Sequence, residues 1–151
     1  MQEPMNFSLS SERPFLLKTG LFEARLAVNA EEVRDAQRLR HQCFFVDKGL
    51  SDDPSGLQSD DFDNVSDHLI VYVPEEKRVV GTYRLLRREG AKKYGSFYSE
   101  SEFDLRKILK TPGEVMELSR SCVDKDFRTR PVLHLLWSGL VACLDHWNIQ
   151  T

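Results

Sequence analysis

Residues 114–147 confine the fold more than any other stretch. EVMELSRSCV at 114–123 has the content of a strand, DKDFRTR is a charged turn, and Pro131 opens a segment in which Leu133, Leu136, Trp137, Leu140, Leu144 and Trp147 recur at helical spacing. Proline is well tolerated in a first helical turn, so a helix is predicted from Pro131 to about Trp147. Such a strand–turn–helix unit needs further strands to pack on. LFEARLAV at 21–28 supplies one, with Phe22, Ala24, Leu26 and Val28 on one face. HLIVYV at 68–73 and RVVGTYRLLR at 78–87, joined by a turn at Pro74–Lys77, read as an antiparallel hairpin. Asn29 and Glu32 stand at capping-box spacing and start a helix that reaches about Phe45. Residues 48–67 read as a long acidic loop, and a short helix is expected near Glu102–Lys110, ended by Pro112-Gly113. The order is β-α-loop-β-β-(α)-β-α, an α/β (α+β) chain with a mostly antiparallel central sheet flanked by helices.

The 151 residues, 40% hydrophobic and 30% charged, suit one folded domain. Residues 1–18 are polar and interrupted by proline, so they are expected to form a flexible arm, with the domain spanning 19–151. A net charge of −3 gives no sign of a nucleic-acid partner. Cys43, Cys122 and Cys143 form neither a disulfide framework nor a zinc motif, and no metal-ligand spacing emerges; a reducing cytoplasm is the expected setting. The N-terminus lacks the pattern of a secretory signal, and no apolar run approaches a bilayer span. The chain ends straight after the second long helix, so a strand beyond it is expected to be missing.

Three constellations could carry chemistry. Free backbone N–H groups and the positive end of the helix dipole face the DFRTRP turn, where Arg128 and Arg130 add fixed charge; the turn is either a phosphate site or merely basic. Arg40 lies in line with Val33, Ala36 and Phe44 on the apolar side of the first helix. Once buried it needs a carboxylate, with Asp60, Asp61, Asp63 and Glu117 as candidates; otherwise it reaches water at the edge of that face. Glu117 and Arg120 would face opposite ways on a regular strand, but a β-bulge between them would turn both to one side. Glu117 could then accept a proton from an amine, or the two could form a structural ion pair. Cys122 reads as a small core residue. Residues 77–93 hold Lys77, Arg78, Arg84, Arg87, Arg88, Lys92 and Lys93 against only Glu89, a solvated face or a dock for an acidic carrier protein or anionic lipid.

Over about residues 21–150 the chain resembles the ornithine N-acyltransferase (lyso-ornithine lipid synthase) family of the GNAT superfamily. The resemblance rests on RLRHQCFF at 38–45, DDFD at 60–63, DHLIVY at 67–72, VVGTYRLL at 79–86 and EVMELSRSCVDKDFRTRPVLHLLWSGLVACLDHW at 114–147. The acyl-homoserine lactone synthases look like a sister group. Their Arg and Phe four apart match Arg40 and Phe44, an acidic pair matches Asp60 and Asp63, Gly-x-x-Arg matches Gly81 and Arg84, and Glu-x-x-Arg matches Glu117 and Arg120.

The resemblance implies a GNAT fold that wedges a pantetheine arm beside the fourth strand, and direct attack of an amine on a thioester. It implies Glu117 and Arg120 as catalytic, Cys122, Val123, Arg128, Thr129 and Arg130 as the phosphopantetheine site, and Arg40, Phe44, Asp60, Asp63 and Arg84 as an acceptor or structural network. The implied donor is a 3-hydroxyacyl group on acyl carrier protein and the implied acceptor ornithine, with peripheral contact to the inner membrane. Arg128–Leu133 carries none of the glycines usual in the GNAT pyrophosphate loop, which favours a carrier protein over coenzyme A. Leu50, where lactone synthases tend to carry tryptophan, counts against a signal synthase. A lactone synthase-like enzyme and an inactive, truncated carrier-binding domain stand as the alternatives.

Overall fold

The computed structural model describes residues 15–50 and 53–151. Five strands, β1 (Leu17–Thr19), β2 (Phe22–Leu26), β3 (Asp67–Val73), β4 (Arg78–Arg87) and β5 (Met116–Val123), form one antiparallel sheet in chain order. Among the described residues four α-helices join it: α1 (Ala30–Phe44), α2 (Arg88–Tyr94), α3 (Arg106–Leu109) and α4 (Arg130–His146). Residues 1–14 of the expected arm lie outside the described residues; Leu17 and Lys18 pair with Ala24 and Glu23, so the sheet starts two residues before residue 19.

The sheet carries a helix on each face because its strands are apolar on both sides. On one face α4 sets Val132, Leu135, Leu136, Leu140 and Cys143 against Ala24, Leu69, Val71 and Leu85. Gly139 lets that helix approach closely: a Cβ there would sit 3.0 Å from a Leu69 methyl. On the other face α1 sets Val33, Ala36, Leu39 and Cys43 against Ile70, Val79 and Cys122. The start of α1 follows the capping logic in part. Asn29 Oδ1 accepts from Glu32 N at 2.8 Å, whereas the Glu32 carboxylate takes Val28 N at 2.7 Å and the buried Arg25 at 2.6 and 2.8 Å.

Two elements differ from expectation. The buried stripe of α4 is turned from the one read in the sequence, leaving Leu133 49% and Trp137 63% exposed while Leu135, Gly139 and Cys143 point inward. Helix α2 was not anticipated. Residues 149–151 also carry backbone past α4: Ile149 bridges Glu114 in parallel, Gln150 N donates to Glu114 O at 2.9 Å, and Met116 N donates to Thr151 O at 3.0 Å. Pairing of the kind thought to be absent therefore begins within the chain.

Candidate active site

A bulge in β5 organises the site. Thr82 pairs with Cys122 and Arg84 with Ser119, so Arg120 and Ser121 together oppose Tyr83. Arg120 adopts φ +51°, a left-handed conformation that costs a non-glycine residue on the order of 1 kcal/mol or more. The alternation resets there. Ser119 and Arg120 serve a polar cluster on the α1 side of the sheet, while Ser121, Cys122 and Val123 line a neighbouring cavity.

The cluster is built on Asp63. A short 3-10 turn, Asp61–Val65, sits inside the long acidic loop and is capped reciprocally: Asp60 Oδ1 accepts from Phe62 N at 3.0 Å, and Asp63 Oδ2 accepts from Asp60 N at 3.3 Å. The turn presents the Asp63 carboxylate to α1, where Arg40 donates to it at 2.9 and 2.7 Å and Gln37 at 3.0 Å. Gln58 completes the guanidinium shell, taking Arg40 Nε at 2.7 Å on its side chain and Nη2 at 2.6 Å on its carbonyl. From β4, Arg84 Nη1 reaches Asp60 at 2.6 Å and Asp63 at 3.1 Å, with Nε donating to Ser119 Oγ at 3.0 Å. Arg120 lies 3.6 Å from Asp60 and donates to Tyr98 Oη at 3.2 Å.

Three guanidinium groups thus meet two aspartates. Burial pushes the Asp63 carboxyl up, but its bonds to Arg40, with His68 and Arg84 behind, prevail and hold it at about 2. His68 is fully enclosed; its Nε2 donates to Asp63 O at 3.1 Å, and burial keeps its pKa below the usual histidine value. Among the described residues Arg84 Nη2 and Arg120 Nε are buried with no hydrogen-bond partner, and Arg84 as a whole is 1% exposed. Buried cationic N–H groups without acceptors are costly; the Arg84 guanidinium lies 5.6 and 5.4 Å from the ring centres of Phe62 and Tyr98, whose faces offset part of that cost.

Both Glu117 oxygens are engaged, one with Tyr98 N and one with Ser99 N, each at 2.9 Å. The carboxylate thereby anchors the segment that carries Tyr98 beside Arg120, whose guanidinium also lies 5.0 Å from the ring centre.

The cavity, about 340 Å³, is lined by Cys43, Phe44, Lys48, Ser121, Cys122, Val123, Arg128 and Leu133. It opens between the end of α1, the end of β5 and the start of α4. Of the residues assigned from sequence to the donor, Cys122, Val123 and Arg128 line it, with Arg128 Nε donating to Val123 O at 3.1 Å. Thr129 caps α4 by position, without a side-chain bond, and Arg130 is exposed; neither lines the cavity. Phe44, grouped from sequence with the acceptor network, stands in the cavity wall instead. Lys48 and Ser121 escaped notice, as did Gln37, Gln58, His68 and Tyr98 in the cluster. Only the position of Gln37 three residues before Arg40 gave any signal.

The basic stretch at 77–93 does not form one surface. Arg84 is buried, Arg78 pairs with Asp124, Arg87 with Asp67 at 2.9 Å and Lys93 with Glu89 at 3.5 Å, while Arg88 donates to Leu109 O and Thr111 O. Among the described residues no group of His, Cys, Asp and Glu could hold a metal ion, and no helix is long and apolar enough to cross a membrane.

A sheet with a bulged strand running into a cation-tipped helix defines a class, and residues 39–138 match the Acetyltransferase (GNAT) domain; the chain belongs to that family. The relatives it resembles are more specific. It is 37% identical to the L-ornithine N(alpha)-acyltransferase of Brucella abortus, over 93% of this chain and 54% of that protein. It is 40% identical to the enzyme of the same name from Rhodobacter capsulatus, over 79% of this chain and 49% of that one. The chain therefore spans about half the length of the curated relatives it matches. No solved structure matches it.

Proposed function

We propose that the chain is the donor-binding part of an N-acyltransferase that moves a 3-hydroxyacyl group from acyl carrier protein to the α-amine of ornithine, for lyso-ornithine lipid synthesis. The observation that carries the reading is the β5 bulge, which sets a cation-lined cavity and a cluster with surplus positive charge side by side on consecutive residues. The cavity receives the phosphopantetheine arm, with Arg128 and Lys48 at its mouth for the phosphate and Phe44, Val123 and Leu133 along its apolar wall. Arg130 and Thr129, at the start of α4, meet the phosphate from outside. The absence of glycine from 128–133 and the single phosphate of a carrier-bound arm favour acyl carrier protein over coenzyme A.

The partly exposed guanidinium of Arg120, at the edge of the cluster, receives the α-carboxylate of the acceptor, which balances the surplus positive charge. Asp60, Asp63 and Arg84 hold the cluster around it in place. The α-amine then lies near the thioester carbonyl. Its nitrogen bonds to the carbonyl carbon while the amine proton passes through water to Glu117, the C–S bond breaks, and the pantetheine leaves as a thiolate that takes that proton back from Glu117 to become the thiol. Proximity in a water-poor slot supplies most of the acceleration for so reactive an acyl group. Cys122 takes no covalent part, because its contact with Cys43 and its burial hold its thiol neutral.

The test is acyl transfer by the full-length protein, given 3-hydroxyacyl–acyl carrier protein and ornithine. N-acyl-ornithine is the expected product, and Arg120→Lys is expected to raise the ornithine KM at least tenfold while sparing the KM for the carrier. Failure with every basic amino acid tried, by protein that still binds the acyl carrier, overturns the acceptor assignment; an equal rise in both KM values removes the carboxylate role of Arg120.

A further inference from the structure

Two of the three cysteines converge on one cavity. Cys43 comes from the last turn of α1 and Cys122 from β5, and both line the space beside Arg128 and Lys48. The Cys43 thiol donates to Val123 O at 3.5 Å, which fixes its sulfur beside the strand segment that bears Cys122. Cys143 belongs to the opposite face of the sheet, against α4, and has no such neighbour. We propose that Cys43 and Cys122 form an oxidant-sensitive modification site, a thiol pair that hydrogen peroxide converts to a disulfide joining α1 to β5 across the cavity.

The chemistry divides unevenly between the two sulfurs. A hydrogen bond from Cys122 outweighs burial and lowers the Cys43 pKa, with Arg128 adding a smaller pull, whereas the Cys122 thiol is held strongly up. Cys43 is therefore the attacking thiolate. Its sulfur takes one peroxide oxygen, the O–O bond breaks, and the other oxygen leaves as hydroxide and is protonated to water. The resulting sulfenic acid is attacked by the Cys122 sulfur; the S–S bond forms, the S–O bond breaks, and the hydroxyl leaves as a second water with the Cys122 proton. Both sulfurs are oxidised and one peroxide is reduced. A disulfide holds its sulfurs at about 2.05 Å, much closer than two thiols in contact, so the bond draws the end of α1 onto β5 and narrows the cavity between them.

The experiment treats the native protein with limiting hydrogen peroxide, blocks remaining thiols and maps the peptides by mass spectrometry. The expected result is loss of Cys43 and Cys122 thiols together, a cross-linked peptide containing both, intact Cys143, and full reversal by dithiothreitol. Cys122→Ser should leave Cys43 trapped as sulfenic acid, detected with a dimedone probe, and Cys43→Ser should slow consumption of the Cys122 thiol at least tenfold. A cross-link involving Cys143, or oxidation of Cys43 to sulfinic acid with Cys122 untouched in the wild-type protein, overturns the proposal. Because both readouts concern sulfur oxidation alone, they stand independently of which acyl group or amine the protein uses.

Discussion

Asp63 is the residue on which the cluster turns. It is 1% exposed, ties α1 to β4 through Arg40 and Arg84, and caps the 3-10 turn that brought it there. Asp63→Asn would face an amide N–H toward groups that can only donate and would strip Arg40 of its counter-charge. Removing one partner of a buried pair costs roughly 3–5 kcal/mol, and the midpoint of urea unfolding should fall accordingly. Asp61→Asn, at an exposed neighbour, should leave that midpoint nearly unchanged; equal behaviour of the two variants would refute the assignment. Arg40 shows what the sequence could and could not reveal at this scale. Its place on an apolar helical face implied burial, and burial implied a carboxylate. Choosing Asp63 from four candidates required the loop's path, because a loop carries no periodicity from which to read direction. Glu117 makes the same point: its spacing to Arg120 was visible, but its two backbone donors at Tyr98 and Ser99 come from a segment without pattern.

At the scale of elements, α2 holds the acidic loop in place. Gly90 lies so close to the loop that a Cβ there would stand 2.1 Å from Val65 O and 2.9 Å from a Leu86 methyl. The first contact is backbone and has no rotamer to escape into. Gly90→Ala should therefore destabilise the fold by about 1–3 kcal/mol, against the usual gain from alanine in a helix, and a thermal melt will show it as a lowered Tm. An unchanged Tm would mean that the loop yields freely. Strands β2 to β5 and helices α1 and α4 were legible because their apolar residues repeat with a period. Helix α2 was not, since REGAKKY presents only Gly90 and Ala91 to the core and reads as polar throughout. The turned stripe of α4 has a related cause. Leu and Trp occur on several of its sides, and Gly139, which sets the packed side, carries no hydrophobic signal.

Across the whole molecule, one face of the sheet is closed by hydrocarbon and the other shares its cover between hydrocarbon and charge, which makes stability depend on acid. His68 is buried with its pKa below 6.5, so in the unfolded chain it binds a proton that the fold excludes; stability should fall as pH drops through about 6.5. Asp63, near 2 against an ordinary 3.8, contributes stability that is present above about 3.8 and lost as pH falls toward 2, on the order of 2 kcal/mol in all. Urea unfolding followed from neutral pH downward should show both declines, and His68→Gln should flatten the first; a curve level from pH 7 to 5 would contradict the role of His68. The antiparallel character of the sheet could be anticipated from the hairpin spacing; a bulge was only one alternative, between Glu117 and Arg120, and it falls at Arg120 and Ser121 instead, while the cavity could not be read at all, since it belongs to three distant segments. That bulge has a consequence for how such a chain can change over generations. Letters between Glu117 and Cys122 can be exchanged one at a time, but their number cannot: adding or dropping one would rotate every later side chain to the wrong side and empty both chambers together. Length there should drift far less than spelling.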